Sequence, residues 1–343
     1  YGSAFFKGEH ISEALNGALI DGVDGVPING WEGQPELKQY FPSLEGDNYV
    51  IFSPELSHLQ TKGMMSHVSY TNYTTFIEVE LALMQDLGYK IDRRNFFGFS
   101  EYGSDKNYVN THGYFARNID GTEYVAGKPN YTNLGVGFHI YGDHNSIVQN
   151  ADLLAYGKGA VGIRVDGTEN KITVNNGVNV RADGYKGTGI LVSAGSKHNI
   201  TVNGTVTATG ENGNALRFDY GSSSNGATDE YRGSYIDYHR YFVSDTDGSI
   251  AFYPDFSEAN LSIANSENPD VNNLNGELVR EALIQGNVYG SQNAVYIGKN
   301  AFVKKIKTGD GAQVTGNISS DWKHFDDEAY KDLCIQYHSR YYE

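Results

Sequence analysis

The sequence predicts a mainly β protein: a parallel β-helix, or solenoid, preceded by a small α+β region. Three observations predict it. First, four apolar segments recur, Gly137-Phe138-His139-Ile140, Gly162-Ile163-Arg164-Val165, Gly189-Ile190-Leu191-Val192 and Ala215-Leu216-Arg217-Phe218, with starts 25, 27 and 26 residues apart. Second, two further stripes keep the same beat. One runs Asn145-Ser146-Ile147-Val148, Asn170-Lys171-Ile172-Thr173-Val174 and Asn199-Ile200-Thr201-Val202; the other contains Leu153-Leu154-Ala155, Val178-Asn179-Val180-Arg181-Ala182 and Val206-Thr207-Ala208. Third, glycine makes up 41 of 343 residues, about 12 % against a usual ~7 %, and punctuates the end of each unit. Such short strands and thin units cannot bury an apolar face alone. Stacking one unit on the next buries it and completes the backbone hydrogen bonds.

The elements follow in order. Residues 1–50 mix short apolar stretches with turns, and Ile11-Ser12-Glu13-Ala14-Leu15-Asn16-Gly17 reads as a short helix. A second helix is expected over Phe76–Gly88, with Phe76, Val79/Glu80, Leu83 and Leu87 on one face, Thr75 and Glu78 as a capping box, and Gly88 as the stop. The solenoid occupies residues 101–330, with an excursion at about 221–275, and 331–343 form a C-terminal tail. Ile140, Val165, Val192 and Phe218 should stack inside, with Phe138, Ile163 and Ile190 in an adjacent row that strand alternation would turn outward unless the strand bends. Asn145, Asn170 and Asn199 open the second strand of successive units, either as a ladder of side-chain amides or as left-handed turn residues. Near the end, Gly286-Asn287-Val288 and Gly316-Asn317-Ile318 suggest one longer unit of 30 residues. The 1–100 region is expected to cover the open N-terminal end of the stack.

Charge and composition exclude several functions. Lys+Arg 26 against Asp+Glu 42 leaves a net charge of −16, which argues against a nucleic-acid partner or an anionic membrane, both of which need a basic footprint. The single Cys334 rules out an intrachain disulfide framework. No run of about 18 apolar residues occurs. A start at Tyr1 with no signal sequence suggests a processed piece of something longer. With 26 Tyr and 16 Phe, the chain is far richer in aromatics than a disordered acidic segment.

Two stretches carry a resemblance. The run RRNFFGFSEYGSD at 93–105, then GVGFHIYGDHN, GIRVDGTEN, DGYKGTGILVSAG, ALRFDYG, EYRGSYI and NAVYIGKNAFVKKIKTGDGAQVTGNISSDW to 322, resembles the passenger domains of large bacterial autotransporters. That resemblance implies a right-handed β-helix exported through the outer membrane to the cell surface or beyond. It brings no established activity, and the C-terminal membrane barrel of such proteins is not in this chain. The second stretch is Ser57-His58-Leu59 with Met64-Met65-Ser66-His67, the helix over 76–88 and Tyr89. It is similar to the C-terminal end of a leishmanolysin-like metzincin zinc peptidase. The resemblance implies His58 as third zinc ligand and Met64 or Met65 in a turn beneath the metal. No His-Glu-x-x-His occurs here, so two ligands and the general base are missing. No cofactor is expected unless that motif lies upstream.

Parallel β-helices also support glycan cleavage by paired carboxylates, for which Asp143, Asp166, Asp183 and Asp219 are candidates. All four sit in or beside glycine turns, which explains them without catalysis. His139 or His144 beside Asp143 would form a dyad lacking a recognisable serine nucleophile. The excursion carries Tyr231, Tyr235, Tyr238 and Tyr241, suited to stacking on glycans or to protein contacts. The expected role is a structural or adhesive surface fragment. Its partners would be a host or bacterial surface protein or glycan, or further copies of itself in a filament. The alternatives are part of a secreted zinc metallopeptidase or a glycan-cleaving enzyme.

Overall fold

A computed structural model describes residues 4–20, 22–30, 54–59, 65, 76–193, 195–219, 242–244, 250–252, 277–298 and 301–322. The protein is mainly β, with parallel sheets curled into a half-barrel. Each repeat unit contributes one short strand to each of three rows, and each strand pairs parallel with its counterpart in the next unit. Row 1 comprises Phe97–Glu101, Val136–Ile140, Val161–Val165, Thr188–Val192 and Asn214–Phe218, followed by the C-terminal parts of Asn287–Ile297 and Gln313–Ser320. Row 2 comprises Asn107–Asn110, Ser146–Gln149, Lys171–Val174, His198–Val202 and Glu277–Ile284. Row 3 comprises Leu153–Leu154, Asn179–Arg181 and Thr205–Ala208, then the N-terminal part of Asn287–Ile297. The expected boundary at residue 100 falls inside the first row 1 strand, so the parallel array begins at Phe97.

The core is built from residues that recur at equal positions. Ile140, Val165, Val192 and Phe218 are paired in register and fully buried. Phe138, Ile163, Ile190 and Leu216 form a second buried row. The expectation that alternation would set these rows on opposite faces is corrected. They lie two residues apart, and a period of two puts both on the inner face. Rows 2 and 3 add Ile147, Ile172 and Ile200, and Leu153, Val180 and Val206, to the same core. Each such side chain contributes roughly 1.5–3 kcal/mol of burial.

The glycine that precedes the buried row 1 residue has its own cause. A Cβ on Gly162 would lie 2.5 Å from the Gly189 carbonyl oxygen and 2.5 Å from a Val180 methyl; on Gly189 it would meet Ala215 O at 2.6 Å and a Val206 methyl at 2.5 Å. Row 1 and row 3 approach too closely there for a side chain.

The turn into row 2 corrects the asparagine reading. The left-handed residues are Asp105, His144, Glu169 and Lys197, each one position before Lys106, Asn145, Asn170 and His198. Asn145 and Asn170 are buried, and their amide oxygens accept the backbone N–H of the preceding unit: Lys106 N to Asn145 Oδ1 and Asn145 N to Asn170 Oδ1, both 2.9 Å. Their Nδ2 groups donate to Gly103 O, and to Gly142 O and Asp166 O. The ladder thus runs from amide to backbone. His198, not Asn199, occupies its third position; its Nδ1 accepts Asn170 N–H at 3.3 Å. Asn199 pairs with Lys171.

The chain leaves the array after Phe218 and rejoins it in row 2 at Glu277, so the insertion falls between two rows of one layer. Within it, Phe242–Ser244 and Ile250–Phe252 form an antiparallel pair. The expected match of Gly286-Asn287-Val288 with Gly316-Asn317-Ile318 is replaced by Asn287 with Gln313 and Asn293 with Asn317.

The N-terminal region contains an antiparallel sheet of Ala4–Phe6, Val26–Gly30 and Pro54–Leu59, with helices α1 (Glu9–Leu15) and α2 (Glu78–Asp86). Ile11, Leu15, Val26, Leu59, Val79 and Leu83 form its core. Helix α2 begins two residues later than the Thr75 cap would place it. Its N-cap is Ile77, and Glu80, not Glu78, reaches back to the cap N–H at 2.9 Å. Of the expected apolar face, Leu87 is exposed. Asp86, in the last turn of α2, accepts the His10 and Ile11 N–H groups of α1 at 2.9 and 3.0 Å. Leu81 of α2 clusters with Phe97, Val136, Val161 and Leu191, so the helix lies on the outward flank of row 1 rather than only at its first strand.

Two core substitutions and one surface control test this architecture. Val165→Asp buries a carboxylate in the inner stack and should lower unfolding free energy by about 3–5 kcal/mol in urea, against less than ~0.5 kcal/mol for the exposed Lys171→Ser. An equal effect at both positions would show that the inner face is misassigned. Asn170→Ala leaves Gly142 O, Asp166 O and Asn145 N without this partner and should cost at least about 3 kcal/mol, at ~1–3 kcal/mol per unpaired buried group.

Candidate functional site

The outward positions of row 1 align as Ser100, His139, Arg164, Leu191, Arg217 and Tyr296. Outward strand positions are ordinarily solvated, yet Ser100, His139, Arg164 and Leu191 are all at most 3 % exposed. The N-terminal region lies against this part of the sheet, and charged groups gather beneath it.

Asp166 is the hub. Its Oδ2 is 2.7 Å from His139 Nε2 and accepts Arg164 Nε at 2.7 Å; its Oδ1 accepts Ser193 Oγ at 2.8 Å. Burial pushes the Asp166 carboxyl up, but Arg164 and His139 outweigh it and hold the group well below its ordinary value. An ionised carboxylate can only accept, so His139 carries its proton on Nε2. Burial lowers the imidazole below its ordinary value, outweighing the attraction of Asp166. His139 is therefore neutral, and its Nδ1 makes no hydrogen bond.

A second ionic group ties the N-terminal helices to the array. Buried Glu78 of α2 accepts Arg93 Nε and Arg94 Nη1, both at 3.0 Å. Both arginines also reach Glu13 of α1, at 2.9 and 3.2 Å, and Arg94 donates to Gly98 O of the first row 1 strand at 2.7 Å.

This constellation is unsuited to hydrolysis. A nucleophilic serine must bond the imidazole that activates it and meet solvent. Ser193 instead donates to the carboxylate, and the cluster is buried. The four candidate carboxylates are separately engaged. Asp143 accepts Thr168 N at 2.7 Å, Asp183 pairs with Arg181 at 2.6 Å, and Asp219 with Arg217 at 2.7 Å. Neither His139 nor His144 pairs with Asp143: His139 turns to Asp166, and His144 lies 3.7 Å from Asp105. The recurrent Arg-x-Asp of 164–166, 181–183 and 217–219 was the sequence signal for these pairs, because residues two apart share a face.

His58 lies in the strand Pro54–Leu59; its side chain is outside the described residues, as are Met64, His67, Tyr231, Tyr235, Tyr238 and Tyr241. Met65 is described: its carbonyl accepts Leu59 N at 2.8 Å and its N–H donates to Glu80 at 2.8 Å, so it sits beside the strand bearing His58. Among the described residues no three His, Cys, Asp or Glu side chains converge to hold a metal. One histidine without a His-Glu-x-x-His does not supply the donor set of a hydrolytic zinc centre.

The chain matches no protein-family profile, no curated protein sequence and no solved structure.

The buried His139–Asp166 pair gives a pH signature. Unfolded His139 takes a proton near its ordinary pKa of about 6.5, whereas the folded imidazole resists it. Stability should fall as pH drops below about 6.5, by at most ~1.4 kcal/mol per pH unit from this group. Loss of the depressed Asp166 should follow below about 4. In urea titrations at pH 7.5, 6 and 5, His139→Gln should flatten the slope between pH 6.5 and 5. An unchanged slope would mean that His139 is protonated in the folded state.

Proposed function

We propose that this chain is a rigid, surface-displayed β-helix: a structural and adhesive fragment of an autotransporter-like protein, exported through the outer membrane. Its partners are a protein or glycan of a host or bacterial surface. The observation that carries this reading is the parallel pairing of three strand rows, layer after layer, between Phe97 and Ser320. A chain that returns to the same position pass after pass, every 25–27 residues between Val136 and Phe218, builds a stiff column with its side chains in fixed files. Such a column holds binding groups away from a membrane without needing chemistry of its own. The engaged carboxylates and the buried His139–Asp166 pair favour this role over glycan cleavage, which needs an accessible acid with a raised pKa. Self-association into filaments is a further part of the reading. The last strand, Gln313–Ser320, pairs on one edge only among the described residues.

The test is adhesion. Beads coated with the purified chain should bind cultured epithelial cells several-fold above albumin-coated beads. Replacing Tyr231, Tyr235, Tyr238 and Tyr241 together by Ala should return binding to background. Sedimentation of the same samples at low and high salt reads assembly, which should strengthen as salt screens the net charge of −16. Binding no better than albumin, with a monomer at every salt concentration, would sink the structural–adhesive role.

A further inference from the structure

The outward file of row 1 changes character beyond Leu191. Its next members, Arg217 and Tyr296, are only partly buried and line a surface groove of about 370 Å³, within the range of small-molecule sites. The groove crosses successive layers, from Lys186 through Asn212 and Gln292 to Asp321. At ~4.8 Å per layer it spans on the order of 14 Å.

Its chemistry is selective. The floor is a closed amide ladder: Asn293 Nδ2 donates to Asn214 Oδ1 at 2.7 Å, and Ser319 Oγ donates to Asn293 Oδ1 at 2.7 Å. The charged walls are engaged. Arg217 pairs with Asp219 at 2.7 Å and lies 5.7 Å from the centre of the Tyr296 ring; the Tyr296 hydroxyl donates to Asp321 at 2.8 Å. Lys186 sits 5.6 Å from the centre of the Tyr185 ring. By contrast, the side-chain amides of Asn212 and Gln292 make no hydrogen bond, although both line the groove.

A free amide offers two donors and an acceptor with two lone pairs. Two of them sharing one groove with an aromatic ring match a ligand whose hydroxyls both donate and accept and whose C–H face is weakly apolar. Charges compensated within the wall give no net pull on a polyanion, and the polar lining gives no seat for a lipid chain. We infer that this groove binds a neutral oligosaccharide, with Asn212 and Gln292 reading its hydroxyls and Tyr296 packing against a sugar face. This rests on the adhesive reading above and assigns it a specific contact site built from residues other than the tyrosines of 231–241.

The test screens the full chain on an array of neutral, amino-sugar and sialylated oligosaccharides and measures each hit by calorimetry. Gln292→Ala and Asn212→Gly should each weaken a neutral hit about tenfold; glycine keeps the left-handed backbone at 212, where φ is 61°. Tyr296→Ala should abolish binding, and Tyr296→Phe should retain most of it. Thermal melts confirm that each variant is folded. If the wild type holds no neutral oligosaccharide, or holds it equally well in all four variants, the groove is not a saccharide site. Binding lost only with the 231–241 tyrosines would keep adhesion and overturn the groove. Binding lost only with the groove variants, by a chain whose beads ignore cells, would keep the groove and overturn cell adhesion.

Discussion

The structure depends on one constraint: every strand must meet its counterpart one unit later in the same register. Parallel pairing supplies backbone hydrogen bonds only while that register holds, and a slip of one residue would turn the inner files outward. Where the register holds, like sits on like. Ile140, Val165, Val192 and Phe218 become a continuous apolar file, and Asn145 and Asn170 each close the turn of the preceding unit. The left-handed residues at 105, 144, 169 and 197 mark the same turn in successive units.

The same register has a second consequence on the outer face. Files of polar residues are carried into positions that the N-terminal region buries. A buried ion pair adds little net stability, because desolvation offsets its attraction, but removing one partner is severe. The Glu78–Arg93–Arg94–Glu13 group, which joins both helices to the first row 1 strand, therefore acts as a locator. It sets where α1 and α2 rest on the sheet, and a misplaced helix would leave charges unpaired in a dry site. Helix α2 adds the apolar contact through Leu81. Beyond Leu191 the outward file is partly exposed at Arg217 and Tyr296, and there its polarity is available for recognition.

Much of the array was legible in the sequence because it is a repeat, and repetition reports geometry directly. The 25–27-residue spacing, the inner file and the departure of the chain after Phe218 all follow from it. Residue type alone is a poor guide to position where another residue nearby can fill the same place. Asn199 resembles Asn145 and Asn170 by identity, yet His198 holds the equivalent place because its ring nitrogen accepts the same backbone N–H. Asn287 and Asn317 likewise look equivalent, but hydrogen bonding sets Asn317 against Asn293. The cap of α2 is not set by local sequence alone, because Glu80 serves both Ile77 N and Met65 N, the latter distant in sequence.

The sequence by itself determined the period, the inner residues and the turns, since these depend on local alternation, glycine and residue type. It also determined what the chain lacks: a His-Glu-x-x-His and a basic surface charge. Tertiary structure alone decided that His139 and Arg164 are buried rather than exposed, that Asp166 gathers both, and that Asn212, Gln292 and Tyr296 face one groove. These residues lie far apart in sequence or on strands whose outward side would ordinarily be wet. Burial and convergence depend on which element is packed against them, and no local pattern encodes that.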